Sequence, residues 1–349
     1  MKKNSRRSFL KNSTLAGLSV GLSKNVFAIK KILKMDNLVV GHGNFKYIID
    51  KNWGIQNFKK FPIDHCHEMV IDKKNRILMT TTHPKNNILI FDRSGKIEDA
   101  WSINYNGAHG LSILDEGDDE FLFITDPENH KVCKTTINGK KIFELNYPKE
   151  IKDYNSEKDF KPTETCIAPN GDIYVADGYG KDFIIRYDSN GKYIGHFGGK
   201  GDKNENFDCC HGITIDTRDK NNMTLLITSR SKNEFKRFTL DGIYKETISL
   251  PGCWICRPVI KGGNLFFAVI VTKSWDKYDG MLAVLDRNNK VVSLPGGNKP
   301  EYSKNLLTPP ISDKKSFLNP HDVCVDEDEN IYVPQWNSKK TYPLKLTRV

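Results

Sequence analysis

The chain has 349 residues, with 53 Lys and Arg against 43 Asp and Glu and a formal net charge of +10. Residues 1–28 hold Lys2, Lys3, Arg6, Arg7, Lys11 and Lys24 and no acid, so the remainder is near neutral with interleaved charges. No basic stripe with aromatics remains to bind nucleic acid, and no long apolar run to span a membrane.

In chain order, the first feature is Ser5-Arg6-Arg7-Ser8-Phe9-Leu10-Lys11, followed by the weakly apolar Leu15–Leu22 and by Val26-Phe27-Ala28. This resembles a twin-arginine signal, which implies export in a folded state, removal of residues 1–28 and a periplasmic or secreted destination. Residues 29–64 form an N-terminal segment in which Phe45-Lys-Tyr-Ile-Ile-Asp50 reads as a strand.

Residues 65–349 repeat one pattern. Its fullest copy runs from Pro162 to Phe197 as four β-rich runs broken at Asn170-Gly171, Asp177-Gly178 and Asn190-Gly191, the signals of successive hairpins. Further copies run from His67 to Trp101, from His109 and from His211. A degenerate copy runs from Arg257 to Leu294, and a truncated one starts at His321 and stops after Leu344-Lys-Leu346. A period of about 40–55 residues suits four-stranded blades, so six copies predict an all-β, six-bladed propeller. The last copy lacks an outer strand, and Phe45–Asp50 is expected to supply it and close the ring. No amphipathic helix is expected downstream of residue 40.

Eight cysteines in an exported chain permit disulfides. Cys166 and Cys324 lie in inner-strand patterns as small buried residues, while Cys66, Cys209, Cys210 and Cys256 fall at blade entries. Cys253-Trp-Ile-Cys256 is read as a structural disulfide, with a redox pair or soft metal ligands as alternatives.

Ala108-His109-Gly110-Leu111, Cys210-His211-Gly212-Ile213 and Pro320-His321-Asp322-Val323 place three histidines at one phase of the repeat. Ring closure brings equivalent positions to the central axis, so these imidazoles are expected to meet there. Three neutral imidazoles with open positions make a catalytic zinc set, since a structural site would be closed by a fourth protein ligand.

The run Lys161–Tyr179, then Ile185–Ile194, together with the three histidine motifs, resembles the NHL-repeat propeller of the peptidyl-α-hydroxyglycine α-amidating lyases. The likeness covers about residues 65–349. It implies a zinc-bearing six-bladed propeller that cleaves the carbon–nitrogen bond of an N-acyl-α-hydroxyglycine, giving an amide and glyoxylate. Carried over by position, it makes His109, His211 and His321 the zinc ligands, Tyr179 the catalytic tyrosine and Arg230 an active-site arginine. It also implies a calcium site of Asp322 with the backbone carbonyls of Leu111 and Met69. The chemistry is coherent: zinc lowers the pKa of a bound hydroxyl, a tyrosine beside a dication can act as base, and an arginine fork holds a carboxylate.

The departures concern recognition. Thr82 stands where the family has a second arginine, and Asn319 where it has a methionine. Phe160 and Gly180 stand where paired cysteines flank the tyrosine. His67 adds an imidazole at the same repeat phase, as a further ligand or substrate contact. The expectation is therefore a monomeric lyase-like protein with a small-molecule or peptide-derived substrate and altered recognition. A non-catalytic NHL propeller that binds a peptide, glycan or protein around a structural metal is the alternative. The Tyr179–Arg230 pair favours the first; Thr82 and His67 favour the second.

Overall fold

The computed structural model describes residues 38–349, so the export pattern lies outside the described residues. Among them, no helix is long and apolar enough to cross a membrane. Short antiparallel sheets follow one another along the chain as six blades. Blade 1 is Cys66–Ile71, Ile77–Thr81, Ile88–Phe91 and Ile97–Trp101; blade 2 is Leu111–Glu116, Asp119–Asp126, Lys131–Thr136 and Lys141–Leu145. Blade 3 is Glu164–Ile167, Ile173–Ala176, Phe183–Tyr187 and Tyr193–Gly198; blade 4 is Ile213–Asp216, Thr224–Ser229, Glu234–Thr239 and Tyr244–Ser249.

Blade 5 departs from this regularity. Its inner strand is split into Trp254–Ile255 and Val259–Lys261, both paired with Asn264–Val271, and Met281–Leu285 and Val291–Ser293 complete it. Pro258 has no N–H for the ladder, which accounts for a break there. Blade 6 runs Cys324–Val325, Ile331–Val333 and Leu344–Arg348, and its fourth strand is Phe45–Asp50, as the truncated copy requires. Val39–His42 adds an outer strand that the repeat does not signal.

The burial pattern explains the strand sequences. Ile77–Thr81, Ile173–Ala176 and Thr224–Ser229 are buried along their whole length because neighbouring blades cover both faces. The outer Tyr193–Gly198 alternates between partly buried and exposed positions. Six apolar clusters result, one at each seam between consecutive blades. At the seam of blades 3 and 4, for example, Tyr174, Ala176 and Ile184 meet Ile213, Leu225, Ile227 and Phe238. Many turns are tied by an aspartate: Asp188 Oδ1 accepts the N–H groups of Asn190 and Lys192 at 2.9 Å, and Asp92 and Asp286 do the same in their turns.

The ring closes through side chains as well as through the ladder. Arg348 donates from Nη1 to Tyr47 Oη at 2.9 Å and lies over the Phe45 ring at 4.4 Å. Ser293 of blade 5 donates to the Phe45 carbonyl at 2.9 Å and accepts from the His42 N–H at 2.8 Å.

Candidate active site on the propeller axis

The same main-chain bond recurs where the chain enters a blade. His109, Thr163, Cys256 and His321 each donate their N–H to the carbonyl of a residue on or just beyond the second strand: Thr125, Ala176, Ala268 and Pro334. With His67 and His211 at the corresponding places, the axis is lined by His67, His109, Thr163, His211, Cys256 and His321. Four imidazoles therefore converge. Ring centroids are 4.4 Å apart for His67–His109, 4.7 Å for His67–His321, 4.8 Å for His109–His211, 4.9 Å for His109–His321 and 5.0 Å for His211–His321.

All four rings are buried. Burial holds His109 down to about 3 and keeps His67, His211 and His321 well below the usual histidine range; the Arg230 charge pushes all four the same way. These are neutral imidazoles, the form in which histidine binds a metal. The Nδ1 of His109 lies 2.9 Å from the Thr163 carbonyl and that of His321 lies 3.0 Å from the His67 carbonyl. Those contacts place the proton on Nδ1 and free Nε2 as a donor to a metal, as a carbonyl behind a metal-binding histidine commonly does. Nδ1 of His67 and Nδ1 of His211 are buried without a partner among the described residues.

The most compact donor set is His67, His109 and His321, whose ligand atoms lie within 4.8 Å of one another. His211 instead turns its Nε2 to Tyr179 Oη at 3.0 Å, while His109 Nε2 lies 3.3 Å from the same oxygen. Three close imidazole nitrogens, two of them on rings whose tautomer a carbonyl fixes, are the donors a zinc-sized ion requires.

Tyr179 is presented by the loop Asp177-Gly-Tyr-Gly180, which is folded around the Asp177 carboxylate. Asp177 accepts the N–H groups of Lys161 at 2.6 Å and Lys181 at 2.7 Å and the Tyr154 hydroxyl at 2.7 Å. A Cβ on Gly178 would sit 2.5 Å from the Cys210 carbonyl oxygen, so only glycine lets the loop lie this close to blade 4. Tyr179 is 42% exposed while its hydroxyl rests on buried imidazoles, so the residue joins solvent to the histidine layer. Burial pushes its phenol above the ordinary tyrosine range, and the positive Arg230 works against that shift.

Arg230 stands on the 3₁₀ turn Arg230–Lys232 and is 4% exposed. Its Nε donates to the Ile255 carbonyl at 3.0 Å and its Nη2 to Cys256 Sγ at 3.2 Å. Burial pushes the Cys256 thiol up to about 12, so it meets Arg230 as a neutral group.

Two expectations need correction. The residues expected to hold calcium hold a guanidinium. Arg257 donates from Nη1 to the Leu111 carbonyl at 2.8 Å and from Nη2 to the Met69 carbonyl at 3.0 Å and to Asp322 Oδ2 at 2.6 Å; its Nε reaches Asp322 Oδ1 at 3.2 Å. Asp322 and both carbonyls are thus already bound to a cation, and they do not fit a calcium ion as well. The Cys253–Cys256 disulfide is also absent: all eight cysteines are free thiols among the described residues. Positions three apart in an extended segment face opposite ways, and Cys253 packs in the seam of blades 4 and 5 while Cys256 packs towards blade 6.

The remaining positions are placed as follows. Thr82 exchanges main-chain and hydroxyl hydrogen bonds with the His65 backbone, at 3.1 and 3.3 Å, and brings no charge. Asn319 is buried beside His321 and donates to the Trp275 carbonyl at 3.4 Å, and its Oδ1 has no partner among the described residues. Trp254, Trp275 and Trp336 form an aromatic run with centroids 5.2 and 5.6 Å apart, bound to the site through Asn319, whose carbonyl accepts the Trp336 N–H at 2.9 Å. Sequence reasoning missed Arg257 and this aromatic run. The first was signalled only by its offset in a degenerate repeat; the second joins blades 5 and 6 and has no periodicity.

No family model matches the chain. It is similar to a probable peptidyl-α-hydroxyglycine α-amidating lyase of Caenorhabditis elegans, with 29% identity over 119 residues, which is 34% of this chain and 33% of the relative. It is also similar to peptidyl-α-hydroxyglycine α-amidating lyase 2 of Drosophila melanogaster, with 30% identity over 147 residues, 42% of this chain and 33% of the relative. The matched stretch thus spans about a third of either relative's own length. Among solved structures, a gluconolactonase from Xanthomonas campestris aligns with a TM-score of 0.58 at 10% identity, covering 90% of this chain and 95% of that one. Virginiamycin B lyase from Staphylococcus aureus aligns with a TM-score of 0.53 at 16% identity, covering 88% of each chain. At such identities these two show the fold alone.

Proposed function

We propose that this propeller is a metal-dependent carbon–nitrogen lyase of the amidating-lyase type, acting on an N-acyl-α-hydroxyglycine or a related small hydroxy acid derivative. One observation carries the reading: a solvent-reaching tyrosine, Tyr179, sets its hydroxyl on two buried neutral imidazoles beside a buried arginine. A binding module has no need of that constellation. The relatives named as lyases support it.

His109 and His321 belong to both candidate donor sets, with His211 or His67 as the third ligand. A zinc ion held there would lower the pKa of the substrate hydroxyl. Arg230 is positioned to receive the substrate carboxylate or developing oxyanion charge. Tyr179 Oη, its proton given up to solvent beside the Arg230 charge and the bound metal, would take the hydroxyl proton. The oxygen electrons then form the glyoxylate carbonyl, the carbon–nitrogen bond breaks, and the amide nitrogen takes back a proton. The apolar part of the substrate would lie along Trp254, Trp275 and Trp336.

Metal analysis and glyoxylate release together test the reading. Purified protein is expected to hold zinc near one per chain, to lose it in His109→Ala and His321→Ala, and to release glyoxylate from at least one member of a panel of N-acyl-α-hydroxyglycines. Comparing His67→Ala with His211→Ala identifies the third ligand. Zinc-loaded protein inert towards the whole panel would sink the lyase reading.

A further inference from the structure

One residue beyond each axial position lies a second ring: Glu68, Gly110, Glu164, Gly212, Arg257 and Asp322. It contains three fully buried carboxylates and one cation whose side chain is 11% exposed. Besides its bonds to Asp322, Leu111 and Met69, Arg257 lies 3.4 Å from Glu68 Oε2 and 3.8 Å from Glu164 Oε2. Glu68 in turn accepts the Leu111 N–H at 2.8 Å and Asp322 accepts the Met69 N–H at 3.0 Å. Backbone packing leaves little room to shift the arginine: a Cβ at Gly212 would lie 2.6 Å from the Arg257 Cα. A single guanidinium from blade 5 thus ties the inner strands of blades 1, 2, 3 and 6, and each of blades 1, 2 and 6 carries a site histidine within two residues of the groups it holds.

We infer that Arg257 is a built-in cation that takes the place of calcium in this hub, so that the hub needs no calcium for its stability. Carboxylate and carbonyl oxygens converging on one point are what calcium binds. Here they converge on a planar fork with fixed donor directions, attached to the chain and always charged. A tethered cation is not diluted or removed by chelators, and the geometry of the inner strands does not depend on ion supply. The inference is independent of what the histidine layer binds or does.

Thermal unfolding in EGTA and in millimolar calcium chloride or magnesium chloride tests it, with free zinc buffered to one level in all three because EGTA also binds zinc. The wild-type Tm is expected to agree within about 1 °C in all three, with far less than one calcium per chain by elemental analysis. Arg257→Ala removes the one cation that faces these three buried acids, and in EGTA its Tm should fall by roughly 5–10 °C. Calcium should restore most of that loss and magnesium little, because magnesium demands a tighter octahedral shell. Arg257→Lys should stay indifferent to calcium at an intermediate Tm. A wild-type protein that binds one calcium and gains Tm from it overturns the inference, as does an Arg257→Ala protein whose loss calcium leaves untouched. If Arg257→Ala is not recovered folded, the wild-type and lysine measurements still decide.

Discussion

At Tyr179 the fold sets a phenol hydroxyl 3.3 Å from His109 Nε2 and 3.0 Å from His211 Nε2 while the residue stays 42% exposed. Removing only the oxygen therefore separates chemistry from structure. Tyr179→Phe is expected to keep its zinc and its Tm while kcat for glyoxylate release drops about 10²–10⁴-fold, the usual contribution of a general base. Unchanged kcat would remove Tyr179 from the mechanism. Arg230 is a different case. Two of its nitrogens brace the Ile255 carbonyl and the Cys256 thiol, so truncation also loosens the entry to blade 5. Arg230→Ala should raise KM more than it lowers kcat if the guanidinium holds the carboxylate before the transition state. Arg230→Lys, which keeps charge but not the fork, should recover part of that affinity.

Among the elements, the strand Ile213–Asp216 shows how a blade end is secured. Asp216 is buried at its end, receives Arg218 through Nε and Nη2 at 2.9 and 2.6 Å, and receives Arg237 Nη1 at 2.7 Å. Burial alone would raise this carboxyl, but the two arginines outweigh it and bring it to about 2. A depressed carboxylate contributes stability above its unfolded pKa, near 3.8, and that contribution fades as pH falls through about 2. Between pH 4 and 2, wild-type protein should therefore lose Tm more steeply than Asp216→Asn, which already lacks the charge at neutral pH. Parallel curves for the two proteins would show that Asp216 is not the group titrating.

The same elements show what the sequence made legible. Strand positions, the closing strand Phe45–Asp50 and the meeting of His109, His211 and His321 follow from repeat phase, because a ring converts equal phase into proximity. Blade 5 was less legible: its inner strand is interrupted at Pro258 and its repeat is degenerate, so Cys253 and Cys256 read as a pair and Arg257 as a starting point. The calcium expectation rested on Asp322, Leu111 and Met69 alone, which are in place; the fourth participant came from a distant blade. Spatial replacement of an ion by a side chain leaves the ion's ligands unchanged and is invisible in their local sequence.

For the whole molecule, stability depends on whether the ring is closed. Each of the six seams buries an apolar cluster that needs both flanking blades, so an open ring would leave faces of two blades without partners. Closure relies on a strand from the other end of the chain, where Tyr47, Ile48, Ile49 and Asp50 pair with Arg348, Thr347, Leu346 and Lys345. Tyr47 is fully buried, its hydroxyl receives Arg348, and it packs in the cluster between blades 5 and 6 with Leu344 and Leu346. Truncating it removes a large aromatic from the closing seam and orphans a guanidinium nitrogen. Tyr47→Ala should cost about 3–5 kcal/mol, the range for deleting a buried aromatic, read as a lower urea midpoint. Tyr47→Phe, which loses only the hydroxyl, should cost about 1 kcal/mol. If the ring is one cooperative unit, Trp fluorescence and far-ultraviolet circular dichroism will move together in Tyr47→Ala. Blade 6 melting ahead of the others would instead show that the ring tolerates being opened.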